Sequence, residues 1–190
     1  MSSEEEKTAT KTSPKKSTPE FNYTDYGSIV GKIAGMMRQE GSLSKGDIAE
    51  LRRVSPNEPF TPALWRVLMI LDLDESPPYI NQEIWERRWA TLMMGMAYCA
   101  DLHNYKVSLG RALAEAGWSE LRFVQLMRAN GEILEAYLRR VAQFLSSKNQ
   151  EANWTDLAWL LFAQSGGTAE KVRLNISRNY YSAIYQKENN

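Results

Sequence analysis

Between Ile133 and Leu145 the residues Ile133, Leu134, Tyr137, Leu138, Val141, Phe144 and Leu145 recur at helical spacing. That keeps one side of an α-helix apolar and does not suit the two-residue alternation of a strand. Two segments of the same kind precede it: S-L-G-R-A-L-A-E-A-G from Ser108 and L-R-F-V-Q-L-M-R-A-N from Leu121. Each break has a chemical cause. Ser108 is placed to cap the first helix by accepting a hydrogen bond from a free N-terminal N–H, and Gly117 supplies the left-handed turn that ends it. Ser119 is expected to cap the second helix, which Asn130 and Gly131 close. The stretch Ser108 to Arg140 therefore predicts three consecutive helices, around which the chain can be organised.

Arg111, Arg122, Arg128, Arg139 and Arg140 fall mainly on the polar sides of these helices. They are free to bind something anionic, or they are satisfied locally. Glu135 lies four residues before Arg139, and Arg111 shares a face with Glu115, both arrangements that suit ion pairs on a helix surface. Periodicity alone leaves the two readings open.

The rest of the chain extends the helical reading. Residues 1–20 are Ser, Thr, Lys, Glu and Pro with hardly an apolar side chain, and are expected to be a disordered tail. A first helix is predicted from about Tyr26 to Gln39, ended by Gly41. Ser44 and Asp47 have the spacing of a capping box for a short helix through Ile48, Leu51 and Val54, with Arg52 and Arg53 at its negative end. Thr61 followed by Pro62 opens another, and Asn81 caps a long helix whose Trp and Met residues, Trp85 to Met96, read as core. His103 to Val107, with Lys106, is a polar connection. Asn153 and Asp156 open a helix apolar on more than one side, so it should be buried or meet a partner. Gly166 and Gly167 are expected to end it and Thr168 to cap the last helix, with Lys171, Asn175, Arg178 and Ser182 facing out. No alternating run or hairpin signal is present. The fold expected is all-α, eight or nine helices in two packed bundles, 21–105 and 106–190.

Composition restricts the chemistry. Lys plus Arg and Asp plus Glu are 23 each, so any basic surface must be local. One cysteine and one histidine exclude an intrachain disulfide and leave almost nothing for a metal site. Cys99 and His103 are four apart, but a nucleophile pair would need a third orienting group. Gly166-Gly167 lacks the lysine of a phosphate loop. With no cofactor motif, no membrane-spanning run and no signal-peptide core, a cytoplasmic, non-enzymatic protein is expected.

Four arginine-bearing strings occur in order: I-A-E-L-R-R-V-S-P from Ile48, S-L-G-R-A-L-A from Ser108, Q-L-M-R-A from Gln125 and L-R-R from Leu138. Together they resemble the CasB family, the small subunit of the type I-E CRISPR surveillance complex Cascade, over roughly Tyr26 to Tyr185. The resemblance implies a non-catalytic helical subunit, present in two copies beside the backbone and large subunits of Cascade. It would help hold guide RNA, target DNA and displaced non-target strand in an R-loop. On the matching positions it gives Arg52, Arg53, Arg111, Arg128, Arg139 and Arg140 a nucleic-acid-binding role. Arg122, Lys106, Lys171 and Arg178 are further candidates from their placement on polar faces. The rival reading is a helical adaptor that only bridges proteins, anchored by Trp154 or Trp159.

Overall fold

The computed structural model describes residues 23–55, 58–163 and 165–189. Among them are nine α-helices and no β-strand, so the expected all-α class is what the chain adopts. They are α1 (Tyr23–Met37), α2 (Lys45–Arg53), α3 (Pro62–Ile70), α4 (Gln82–Tyr98), α5 (Leu109–Ala116), α6 (Glu120–Arg128), α7 (Gly131–Ser147), α8 (Trp154–Phe162) and α9 (Gly166–Glu188). The expected disordered tail, 1–20, lies outside the described residues.

Two helices carry the interior. Every residue of α4 from Trp89 to Ala97 is buried, and so is every residue of α8 from Trp154 to Leu161. The Trp and Met stripe of α4 is core as expected, but the second half of that helix is enclosed on all sides. A helix apolar around its whole circumference needs neighbours around its whole circumference. α7 supplies one of them and runs beside α4 in the same direction. Thr91 and Met94 share a cleft with Glu135 and Arg139. Further along, the Cys99 Sγ reaches the Ala142 carbonyl at 3.4 Å and the Ser146 hydroxyl donates to the Tyr98 carbonyl at 2.9 Å. The seam of α7 is Leu134, Leu138, Val141, Ala142 and Leu145. Ile133, predicted inward, is 66% exposed, because it sits one residue off that seam in the first turn.

α5 packs on α9, with the buried Tyr180 at their junction. Its hydroxyl donates to the Trp118 carbonyl at 2.6 Å, and its ring stacks on Phe123 with centroids 3.8 Å apart. The connection before α5 is tied to the one before α8. Asn104 N–H donates to the Ala152 carbonyl, Ala152 N–H to Leu102, and Asn153 N–H to Val107, at 3.1, 3.0 and 2.7 Å. His103 and Ala152 thereby form an isolated parallel bridge.

The capping box of Ser44 and Asp47, the Thr61 cap before Pro62, and the Asn81 and Asn153 caps form as expected. Five expectations are corrected. α1 ends at Met37, not Gln39, where Leu43 N–H turns back to the Met36 carbonyl at 3.0 Å. Ser108 and Ser119 hold the N-cap positions of α5 and α6, but neither side chain accepts a capping hydrogen bond. At α5 the acceptor comes from elsewhere: the buried Asp156 of α8 takes the Leu109 N–H at 2.8 Å on Oδ2. Gly166 and Gly167 belong to the first turn of α9 rather than ending α8, so Thr168 lies inside the helix it was expected to cap.

Candidate nucleic-acid interface

Three of the candidate arginines are engaged. Arg52, in the last turn of α2, donates from Nε to the Ala97 carbonyl at 2.6 Å, near the end of α4 where carbonyls lack intrahelical donors. Arg139 of α7 donates from Nη2 to the carbonyl of Val54, the C-cap of α2. It lies in a cleft with Val54, Arg87, Thr91 and Glu135. No Glu135–Arg139 ion pair forms, because Arg139 turns to α2 instead. Burial pushes the Glu135 carboxyl above its usual range, opposed by Arg87 and Arg88, and burial lowers Arg88. Arg111 pairs with Glu115, Nε to Oε1 at 2.6 Å, the local alternative that its spacing left open. Both partners are largely exposed, where such a pair contributes about 0.3–0.5 kcal/mol.

Arg53, Lys106, Arg122, Arg128, Arg140, Lys171 and Arg178 are exposed, and among the described residues none of them forms an ion pair. Arg53 stands at the end of α2, between Arg52 and the Val54 carbonyl that holds Arg139, and Arg140 follows Arg139 on α7. The fold therefore brings Arg52, Arg53 and Arg139 around one helix end. Arg128 closes α6. Lys171 and Arg178 lie on the outer side of α9, opposite the buried Ile176 and Tyr180. Two of the exposed arginines rest on rings: Arg122 over Trp118, 5.7 Å from its centroid, and Arg140 over Tyr137 at 5.3 Å.

Sequence reasoning missed Arg173 and Lys148. Arg173 donates to the Met127 carbonyl at 2.9 Å, the Ala129 carbonyl at 3.2 Å and Asn130 Oδ1 at 2.7 Å. Those acceptors flank Arg128 on both sides. Its only signal was its place beside the inward Val172, on the edge between the two faces of α9. Lys148 lies past the last turn of α7, its ammonium 6.0 Å from the Phe144 ring centroid.

The groups considered for other functions are placed differently. Cys99 is buried, and desolvation pushes its thiol up to about 12. α4 ends at Tyr98, so Cys99 and His103 share no continuous helix. His103, in the connection read as polar, is half-buried, and its Nδ1 accepts the Trp154 N–H at 3.3 Å. Burial first, then the charge of Arg38, lowers its pKa. Among the described residues no cluster of three or more His, Cys, Asp or Glu could hold a metal ion, and no helix is long and apolar enough to cross a membrane. Trp154 and Trp159, the anchors of the adaptor reading, are 0% and 2% exposed, so neither ring faces out.

Residues 47–181 match the family model of the CRISPR-associated protein Cse2, a span that contains all ten candidate cations. Among solved structures, a chain of Escherichia coli Cascade bound to a PAM-containing double-stranded DNA target superposes with a TM-score of 0.61 at 19% identity, covering 83% of this chain and 96% of that one. CasB from Thermobifida fusca superposes with a TM-score of 0.59 at 18% identity, with the same coverage. These superpositions establish a shared fold. No curated protein sequence matches the chain.

Proposed function

The chain belongs to the Cse2 family of CRISPR-associated proteins, and on that footing we propose that it is the non-catalytic small subunit of a cytoplasmic type I-E Cascade. It sits in two copies beside the backbone and large subunits. Its exposed cations contact the phosphates of the guide RNA–target hybrid and of the displaced non-target strand, and so stabilise the R-loop in antiviral defence. The observation that carries this reading is the set of exposed cations that have no carboxylate partner among the described residues, Arg53, Arg128 and Arg140 foremost, within the matched span of a chain with no net charge.

Exchanging a DNA duplex for an RNA–DNA hybrid is close to energetically balanced, so a few phosphate contacts decide whether the loop persists. Phosphate contacts carry no sequence information, which suits an assembly whose guide reads the sequence. Arginine adds a planar fork that takes two phosphate oxygens at once. Arg52 and Arg139 hold α2 against α4 and α7, and their remaining N–H groups are available for the same strands. Arg111 reaches phosphate by exchanging Glu115, at small cost for so exposed a pair.

The test is R-loop formation by the assembled complex, together with single-stranded DNA titration of the chain at two salt concentrations. Both compare wild type with an Arg53→Ala, Arg128→Ala, Arg140→Ala variant. Losing three contacts should flatten the dependence of log K on log salt by about 2. Unchanged R-loop stability and an unchanged salt slope would refute the assignment.

A further inference from the structure

The last carbonyls of α6 are held by side chains. The Ala129 N–H donates to the Gln125 and Leu126 carbonyls, which leaves those of Met127, Arg128 and Ala129 past the end of the helix ladder. Arg173 of α9 takes two of them, from Nε to Met127 at 2.9 Å and from Nη2 to Ala129 at 3.2 Å. Its Nη2 also donates to Asn130 Oδ1 at 2.7 Å, and the Asn130 amide in turn donates to the Arg128 carbonyl at 3.3 Å. One guanidinium, 43 to 46 positions further along the chain, therefore fixes three successive carbonyls around Arg128, directly or through Asn130. Asn130 holds the N-cap position of α7 without accepting a capping bond, its oxygen serving Arg173 instead. Leu126 and Ala129 are buried on either side, while Arg128 itself is exposed and forms no ion pair among the described residues.

We propose that Arg173 is a positioning residue for Arg128: it clamps the end of α6 to α9, so that the Arg128 guanidinium is presented to phosphate from a fixed backbone. The inference rests on the reading above, in which Arg128 contacts phosphate, and it gives Arg173 no phosphate of its own. Three of the five N–H groups of Arg173 are spent on the clamp. The side chain is half-buried, and desolvation lowers its pKa. Only an arginine fits the place, because its planar fork meets two carbonyls and an amide oxygen at once, whereas an ammonium is a point charge. Its positive charge also suits the negative end of the α6 dipole. A clamp set on folding means that less freedom is lost when Arg128 binds. A clamp that only stabilised the fold would lower the urea midpoint when removed and leave the salt dependence of DNA binding unchanged.

The experiment is a double-mutant cycle on Arg128 and Arg173, read by fluorescence anisotropy as the full chain is titrated into a labelled single-stranded oligonucleotide at several salt concentrations. Arg173→Lys keeps the charge and loses the fork. Arg128→Ala should flatten the log–log salt slope by about 0.7, one phosphate contact on a single strand. Arg173→Lys should weaken binding and flatten the slope in the same direction, and the double variant should be no flatter than Arg128→Ala alone. Asn130→Ala keeps both carbonyl contacts of Arg173 but removes the donor to the Arg128 carbonyl. It should weaken binding by less than Arg173→Lys, and only when Arg128 is present. If circular dichroism shows that Arg173→Lys does not fold, Asn130→Ala carries the test, and wild-type affinity in it overturns the proposal. Wild-type affinity and slope in a folded Arg173→Lys variant also overturn it, leaving the clamp purely structural. So do losses that add in the double variant, because Arg173 would then act on the strand independently of Arg128. A wild-type slope for Arg128→Ala refutes the phosphate contact of Arg128 itself, and the positioning role falls with it.

Discussion

Gly110 of α5 stands against the backbone of α9. A methyl group at this position would lie 2.8 Å from the Tyr180 nitrogen and 3.1 Å from the Ile176 carbonyl carbon, and closer still to the Ile176 oxygen. None of these atoms is the end of a flexible side chain, so Gly110→Ala must separate two helices. The neighbours Leu109, Leu113, Ile176 and Tyr180 are all buried, and a gap of 0.5–1 Å forfeits roughly a quarter to a half of the dispersion attraction across it. Overpacking of this kind costs about 1–3 kcal/mol, and a clash with fixed backbone belongs at the upper end. Alanine returns about 1 kcal/mol of helix propensity, leaving a net loss of about 2 kcal/mol. For a chain of this size that lowers Tm by about 4–8 °C. The control is Gly35→Ala in α1, where a methyl group meets nothing within 4 Å. There the propensity term acts alone and should stabilise by about 0.5–1 kcal/mol. Urea denaturation followed at 222 nm measures both variants. Equal changes in the two variants, or a Gly110→Ala variant no less stable than wild type, would refute the close-approach argument.

Asp156→Ala should cost about 2 kcal/mol, because the buried Leu109 N–H loses its acceptor. Asp156→Asn, which keeps a carbonyl oxygen there, should recover more than half of that loss in the same denaturation assay. His103 titrates below its ordinary 6.5 because burial disfavours its charged form. From about pH 6.5 down to the lowered folded value, the unfolded chain therefore takes up a proton that the folded chain does not, and stability falls as pH drops. His103→Asn, which keeps an acceptor for Trp154 N–H, should shrink the loss of urea midpoint between pH 7.5 and pH 5.5 relative to wild type; an identical loss would contradict this. Cys99, buried with its thiol pushed up to about 12, should resist iodoacetamide in the native state and react at the rate of global unfolding. Rapid native labelling would show that α4 opens locally.

How far the sequence could be read depended on the range of the interaction. Caps made within a few residues were legible: Ser44 with Asp47, Thr61 before Pro62, Asn81, and Asn153. The apolar spacing of α7 and α8 likewise located most of the core, because burial repeats with the helix period. Contacts between distant residues left no such trace. Asp156 was read as opening its own helix, and it does lie in the first turn of α8, yet its Oδ2 caps α5 from 47 positions away, which made the locally plausible Ser108 cap unnecessary. The same limit governs the arginines. Glu135 four residues before Arg139 is the favourable order for an ion pair, but the Val54 carbonyl, 85 residues away, takes the guanidinium. Arg111 pairs with the carboxylate four residues on, one of the two readings its spacing left open. An arginine in a motif therefore has two separable properties. Its place on a helix face follows from periodicity, whereas its availability to a phosphate depends on which carbonyls tertiary packing brings beside it. Arg52 and Arg53 are adjacent in sequence, and only Arg53 leaves its whole guanidinium without a hydrogen bond among the described residues. Between those two, Arg53→Ala should act on salt-dependent DNA binding and Arg52→Ala mainly on stability. Exposed caps and engaged clamps would be interchangeable if motif position alone set the role, and a salt slope measured for each single variant decides which property governs.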